Sequence, residues 1–168
     1  MIDAGYCRVM ARYNAWQNKG LRAIVDAMDE DALRHDRGAF FGSIFGTLNH
    51  LLWGDLVWMA RFAGGDAPPQ AIADSPDMTA TPVEWSTHRF RTDGRISLWA
   101  DKLASVDLVG DLTWYSEAAK REVTQPMQTC IVHFFNHQTH HRGQVHAMLT
   151  AAGAKPGPTD LPFMPEEF

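Results

Sequence analysis

Residues 127–153 read MQTCIVHFFNHQTHHRGQVHAMLTAAG, and five of the chain's eight histidines fall inside this run. Pro126 precedes it, and Gly153 and Pro156 follow it. These are start and stop signals for a helix spanning about 127 to 152. On a helix that advances ~100° per residue, side chains four apart sit one turn up and about 40° round. With His133 at zero, Phe134, Val145, Ile131, Met148 and Leu149 cluster between roughly 60° and 160°. His141 lies near ~80° and His137 near ~40°, at the edge of that apolar stripe. His140 and His146 fall away from it and are expected to be solvated. The spacing therefore turns His137 and His141 inward as a pair, at a separation that lets two imidazoles share one metal ion.

The rest of the chain gives this helix its partners. From Asp3 to Met28, Tyr6, Val9, Tyr13, Trp16, Gly20 and Ile24 recur at three- and four-residue steps, a helical face. The polar cluster Asp29 to Asp36 ends it. A second helix is predicted from about Gly42 to Ala63, stopping at Gly64-Gly65. It is apolar nearly all the way round, which suits a central place in the fold or a subunit contact. After a loop with Pro68, Pro69 and Pro76, Thr81-Pro82-Val83-Glu84 reads as a capping box with proline at the first helical position. The third helix it opens has a core stripe of Ile96, Trp99, Leu103 and Val106. Between Leu112 and Thr124 the pattern switches to strand residues around a polar turn, a short hairpin. Four long helices joined by unequal connections predict an all-α chain, a four-helix bundle spanning residues 1–168 as one domain.

Composition narrows the function. The chain has 168 residues, 20 Asp+Glu against 15 Lys+Arg, and a net charge of −5. That balance argues against a nucleic-acid partner, which needs a basic face. Two isolated cysteines, Cys7 and Cys130, form no disulfide framework and point to a reducing, cytoplasmic setting. The apolar run Phe40–Ala63 carries Asn49, His50 and Asp55, a poor membrane span. The N-terminus lacks the pattern of a signal peptide. Gly-rich phosphate loops, GxSxG and ExxH elements are all missing from the sequence, and Cys130 sits too far up the helix from His137 for a dyad.

Catalytic zinc takes three protein ligands and keeps a position open, so a third ligand must come from elsewhere. His35, His50, His88, Asp55 and Glu84 are the candidates. On the helical wheel His50 shares a face with Ser43, Thr47, Gly54 and Arg61, opposite the stripe of Phe41, Leu48, Leu52 and Met59. That face reads as exposed. Asp55 lies nearer the stripe, as a rival ligand or as a carboxylate supporting one. Spacing alone leaves the choice open.

Three stretches together resemble the DinB family of metal-binding bundles: YNAWQNKGL (13–21), LNHLLWGDLVWMARF (48–62) and NHQTHHRGQ (136–144). The resemblance implies an up-up-down-down four-helix bundle of the DinB/YfiT type, often a homodimer. It implies a divalent ion, zinc or nickel, held by one histidine of the second helix and two of the last: His50, His137 and His141. It also implies chemistry on a low-molecular-weight thiol. Three neutral imidazoles leave the ion its full charge and an open position, so a bound thiol or water loses its proton near neutral pH.

The expected activity is a metal-dependent thiol S-transferase, with a small-molecule thiol and an electrophile as partners. A non-catalytic metal-binding stress-response protein and a hydrolase using bound hydroxide are the alternatives. Trp53 and Val57, one and two turns beyond His50, could line the site's mouth. Gln144 could hydrogen-bond a ligand imidazole or the thiol. Arg142 could pair with an acidic group or lie on the surface.

Overall fold

The computed structural model describes residues 2–168. Four long helices dominate it: α1 (Ala4–Ala27), α3 (Ile44–Ala63), α4 (Pro82–Lys102) and α5 (Met127–Ala151), with a five-residue helix α2 (Glu30–Arg34) after α1. Strands β1 (Asp111–Ser116) and β2 (Arg121–Pro126) pair antiparallel just before α5. The fold is thus mostly helical with one small hairpin. Among the described residues no helix is long and apolar enough to cross a membrane.

Side-chain caps start the helices where the sequence supplies them. Asp3, Ser43 and Thr81 each accept from a backbone N–H in the first turn of α1, α3 and α4, satisfying a donor the helix itself cannot. At α4 the box is displaced: Thr81 accepts from Glu84, but the Glu84 carboxylate reaches back to the N–H of Ala80. The cluster 29–36 does more than end α1. Asp29 caps α2, whose Leu33 is fully buried.

Helix α1 packs on α4, and α3 on both α4 and α5. Two apolar clusters fill the interior. One joins Cys7, Ala11, Trp58, Met59, Ile96, Trp99, Ile131, Phe134 and Phe135. The other joins Leu21, Val25, Leu33, Phe45, Leu48, Leu52, Trp85, Val145 and Leu149. Between them, at mid-height of every long helix, lies a buried polar layer: Asn14 and Asn18, Asp55, Arg89 and Asp93, Gln138 and Arg142.

That layer explains two departures from the sequence reading. The buried residues of α1 are Cys7, Ala11, Tyr13, Asn14, Asn18, Leu21 and Val25; of the predicted face Tyr13 is buried, whereas Val9 and Gly20 are exposed. The aromatic stripe suggested by spacing is offset because small and polar residues meet the polar layer. Arg142, which the wheel turns away from the apolar stripe, is buried in the layer. It donates to Asn14 Oδ1, and its guanidinium lies over the Tyr13 ring. Val106 leaves the predicted core stripe: α4 ends at Lys102, and Val106 is 74 % exposed.

The proline-rich tail is ordered against α1. Tyr13 Oη donates to the Thr159 carbonyl (2.6 Å) and Gln17 Nε2 to that of Pro158 (3.0 Å).

Candidate metal centre

His50 is buried, 3 % exposed, on a face of α3 that the wheel marks as solvent-facing. The correction comes from the segment Ile72–Asp77, a 3-10 turn laid over that face. Asn49 anchors it. Its Nδ2 donates to the Pro76 carbonyl (2.9 Å), and its Oδ1 accepts from the Thr79 N–H (3.2 Å) and hydroxyl (2.6 Å). The arrangement sets Ser75 Oγ 2.8 Å from His50 Nδ1. An asparagine within a mainly apolar helix was the sequence signal for this, and periodicity gave it no role.

The structure brings His50, His137 and His141 together, with one ligand atom from each lying within 4.8 Å of the others. His50 Nε2 and His137 Nε2 are 3.2 Å apart. Two nitrogens bound tetrahedrally at ~2.0–2.1 Å would stand roughly 3.4 Å apart, so the rings already hold ligand spacing.

Hydrogen bonds orient two of the three rings. Ser75 Oγ gives its single proton to the Ile72 carbonyl (2.6 Å), so toward His50 it accepts, and His50 carries its proton on Nδ1. The amide oxygen of Gln144 sits 2.7 Å from His141 Nδ1 and accepts there. Both rings therefore present a bare Nε2 inward, the form a metal takes. Among the described residues no fourth histidine, cysteine or carboxylate joins this group. His133 and His140 are exposed neighbours on α5. The other candidate ligands do not arrive. Asp55 is held in the polar layer by Arg89 and Gln138, while His35 and Glu84 are exposed.

Aromatic rings close the sides. Phe41 stacks on His50 at 3.8 Å between centroids, and Trp53 lies nearly parallel to it at 5.7 Å. The Trp53 indole is fixed by its own N–H, donated to the Gln70 carbonyl. Val57 is half-buried further along the helix. The cleft of about 520 Å³ lined by Tyr13, Trp16, Leu21 and Arg142 lies on another face and includes none of the three rings.

Gly54, one turn beyond His50, escaped the sequence reading. A Cβ there would come within 2.8 Å of His137 Cε1, closer than carbon atoms pack. Helix α3 must therefore offer bare backbone for the His137 ring to lie against it. Gly54→Ala is expected to displace that ring and weaken metal binding by about 10–100-fold, the range seen when a ligand's support is lost. Competition with a chromophoric chelator measures it. Wild-type affinity in the variant would show that the ring has room to spare.

Burial and mutual repulsion keep the rings neutral. His137 is pushed down to about 3 and His50 to about 4, each chiefly by burial and then by neighbouring imidazoles. Burial lowers His141 as well. Because all three are shifted below the unfolded value, the folded metal-free protein favours the uncharged rings that a metal takes. Metal uptake at pH 6, where a metal-bound water that ionises near ~7 still keeps its protons, is therefore expected to release far less than one proton per ion, with coupling to the ligand imidazoles appearing only as the pH falls further toward the shifted values. Calorimetric titration in two buffers of different ionisation enthalpy reads this directly, and release of a full proton or more would contradict it.

Comparison with known proteins gives two findings. A family model described as the DinB family matches residues 1–167. The chain is also similar to Protein DinB of Bacillus subtilis (strain 168), 26 % identical over 152 residues, which covers 88 % of this chain and 87 % of the relative.

Proposed function

The chain belongs to the DinB family, and from that membership and the three-imidazole centre we propose that it is a metal-dependent enzyme acting on a low-molecular-weight thiol, an S-transferase in reaction class. The observation that carries the reading is the donor set: three neutral nitrogens converge, and among the described residues no fourth histidine, cysteine or carboxylate joins them. A structural zinc site is closed by four protein ligands, whereas a catalytic one keeps a position for substrate.

A divalent ion such as zinc or nickel, held by His50, His137 and His141, would supply the positive charge that keeps a thiol as its thiolate at neutral pH. The residues of the chain do the rest. Ser75 and Gln144 lock two imidazoles with Nε2 inward. Phe41 and Trp53 flank His50 with apolar surface, which lowers the local dielectric and strengthens the charge effect. In the transfer, the thiolate sulfur attacks an electrophilic carbon, an S–C bond forms, and the leaving group departs with its electron pair. Trp53 is assigned to contact the thiol or the electrophile, and Gln144 acts through His141. The up-up-down-down bundle and a homodimer belong to the same proposal.

The test uses metal-loaded protein with a small thiol and an aryl halide. Expected is conjugation that disappears with a chelator and returns with zinc or nickel. Ester hydrolysis without conjugation would move the reading to a hydrolase, and a metal-loaded but inert protein to a metal-binding role alone.

A further inference from the structure

Helix α3 carries a second polar group on the face that begins at His50. Gly54 lies against His137, and the Trp58 ring lies 5.2 Å from the His133 ring. The two helices therefore run in opposite directions along this contact, and moving away from the centre on one means moving away on the other. His133 is one turn of α5 from His137, their rings 5.9 Å apart. Arg61 is one turn of α3 beyond Val57 and Trp58. Its guanidinium carbon sits 4.5 Å from the Trp58 ring and 5.1 Å from that of Trp114 on β1, so two indoles hold it.

Arg61 is half-buried, and among the described residues no carboxylate pairs with it. Most other arginines find oxygen, and Arg8 and Arg91, which do not, are exposed. Arg34 has Glu30, Arg89 has Asp55 and Asp93, and Arg95 has the carbonyls of Met59 and Gly64. Partly withdrawing a cation from water without an acceptor is unfavourable. A guanidinium stacked on rings still has its N–H groups free at its edge, in the geometry that a carboxylate meets with two parallel bonds. Burial lowers the proton affinity of His133, and the nearby Arg61 charge lowers it further. As a neutral ring it keeps one N–H to donate.

We propose that Arg61, with His133 nearby, forms an anion subsite displaced along the helices from the metal centre, reached one turn of α5 beyond His137 at His133 and two turns of α3 beyond Gly54 at Arg61, and that the molecule taken by the site carries a carboxylate at its far end. This rests on the thiol reading for what binds at the centre, but not for the subsite itself.

The test compares 6-mercaptohexanoate with 6-mercaptohexanol on cobalt(II)-loaded protein, followed by the thiolate charge-transfer band. Hexanoate alone is titrated calorimetrically alongside. Expected in the wild type is an advantage of about tenfold for the carboxylate over the alcohol, the worth of one charge-assisted bond. In Arg61→Met that advantage disappears while cobalt stoichiometry is unchanged, and Arg61→Lys restores part of it. Equal binding of the two thiols by the wild type overturns the subsite and leaves Arg61 a clamp between the hairpin and α3. If neither thiol produces the band, the thiol reading fails and hexanoate decides the subsite: Arg61-dependent binding supports it, and none overturns it.

Discussion

His137→Ala is expected to remove the metal from this protein. His137 is the ring that bridges the centre: its Nε2 is 3.2 Å from that of His50, and its ring centroid is 4.4 Å from that of His141. Without it, two imidazoles on different helices remain, and a catalytic ion needs three protein ligands. The loss should exceed the roughly 10–100-fold that an outer partner costs, a range in which Ser75→Ala should fall. Metal analysis of protein dialysed against dilute zinc or nickel would give about one ion per chain for the wild type and almost none for the variant. An unchanged stoichiometry in His137→Ala would end the assignment of the site, and with it the proposed chemistry. Folding is not expected to suffer, because the variant removes a half-buried polar ring that no protein hydrogen bond outside the triad requires.

Arg89→Leu is expected to have the largest effect on stability. Arg89 is buried at the centre of the polar layer, 2.6 Å from Asp55 and 2.9 Å from Asp93. Gln138 donates to Asp55, and Asn14 and Asn18 to Asp93. Removing the guanidinium leaves two buried carboxylates without their counter-ion, a change worth about 3–5 kcal/mol. The pH dependence identifies the cause. Burial pushes Asp93 up to about 6 and raises Asp55, with Arg89 opposing both shifts. For an acid whose folded value is raised, the stability of the neutral form is full below the unfolded value and lost as pH rises through the folded one. In the variant the folded values rise further, so the carboxylates take protons more readily. The gap between variant and wild type should therefore narrow as the pH falls from 7 toward 5. Denaturant unfolding at both pH values measures this, and a gap independent of pH would assign the loss to packing instead.

The four long helices were readable because each has both its periodicity and its punctuation in the chain. Thr81-Pro82 opens α4, Gly64 closes α3, and the switch to alternating residues near Trp114 marks the hairpin. The relation of His137 to His141 was readable for the same reason: both lie on one helix, where spacing fixes geometry. His50 was different. Its exposure depends on what crosses its face, and that is the segment Ile72–Asp77, held by Asn49 through hydrogen bonds to residues 27 and 30 positions away. Gly54 and Arg61 were hidden for a related reason, since their meaning lies in the rings of other elements.

The sequence by itself determined the four long helices, most of their ends, the hairpin and the pairing of two histidines one turn apart, because these follow from local backbone preference and a fixed angle per residue. Only the tertiary structure decided which α3 face is covered and that a polar layer divides the core. It alone placed a third imidazole against the other two. Burial and contact between distant segments are properties of the packed chain, and helical periodicity holds no information about them once a helix is enclosed on every side.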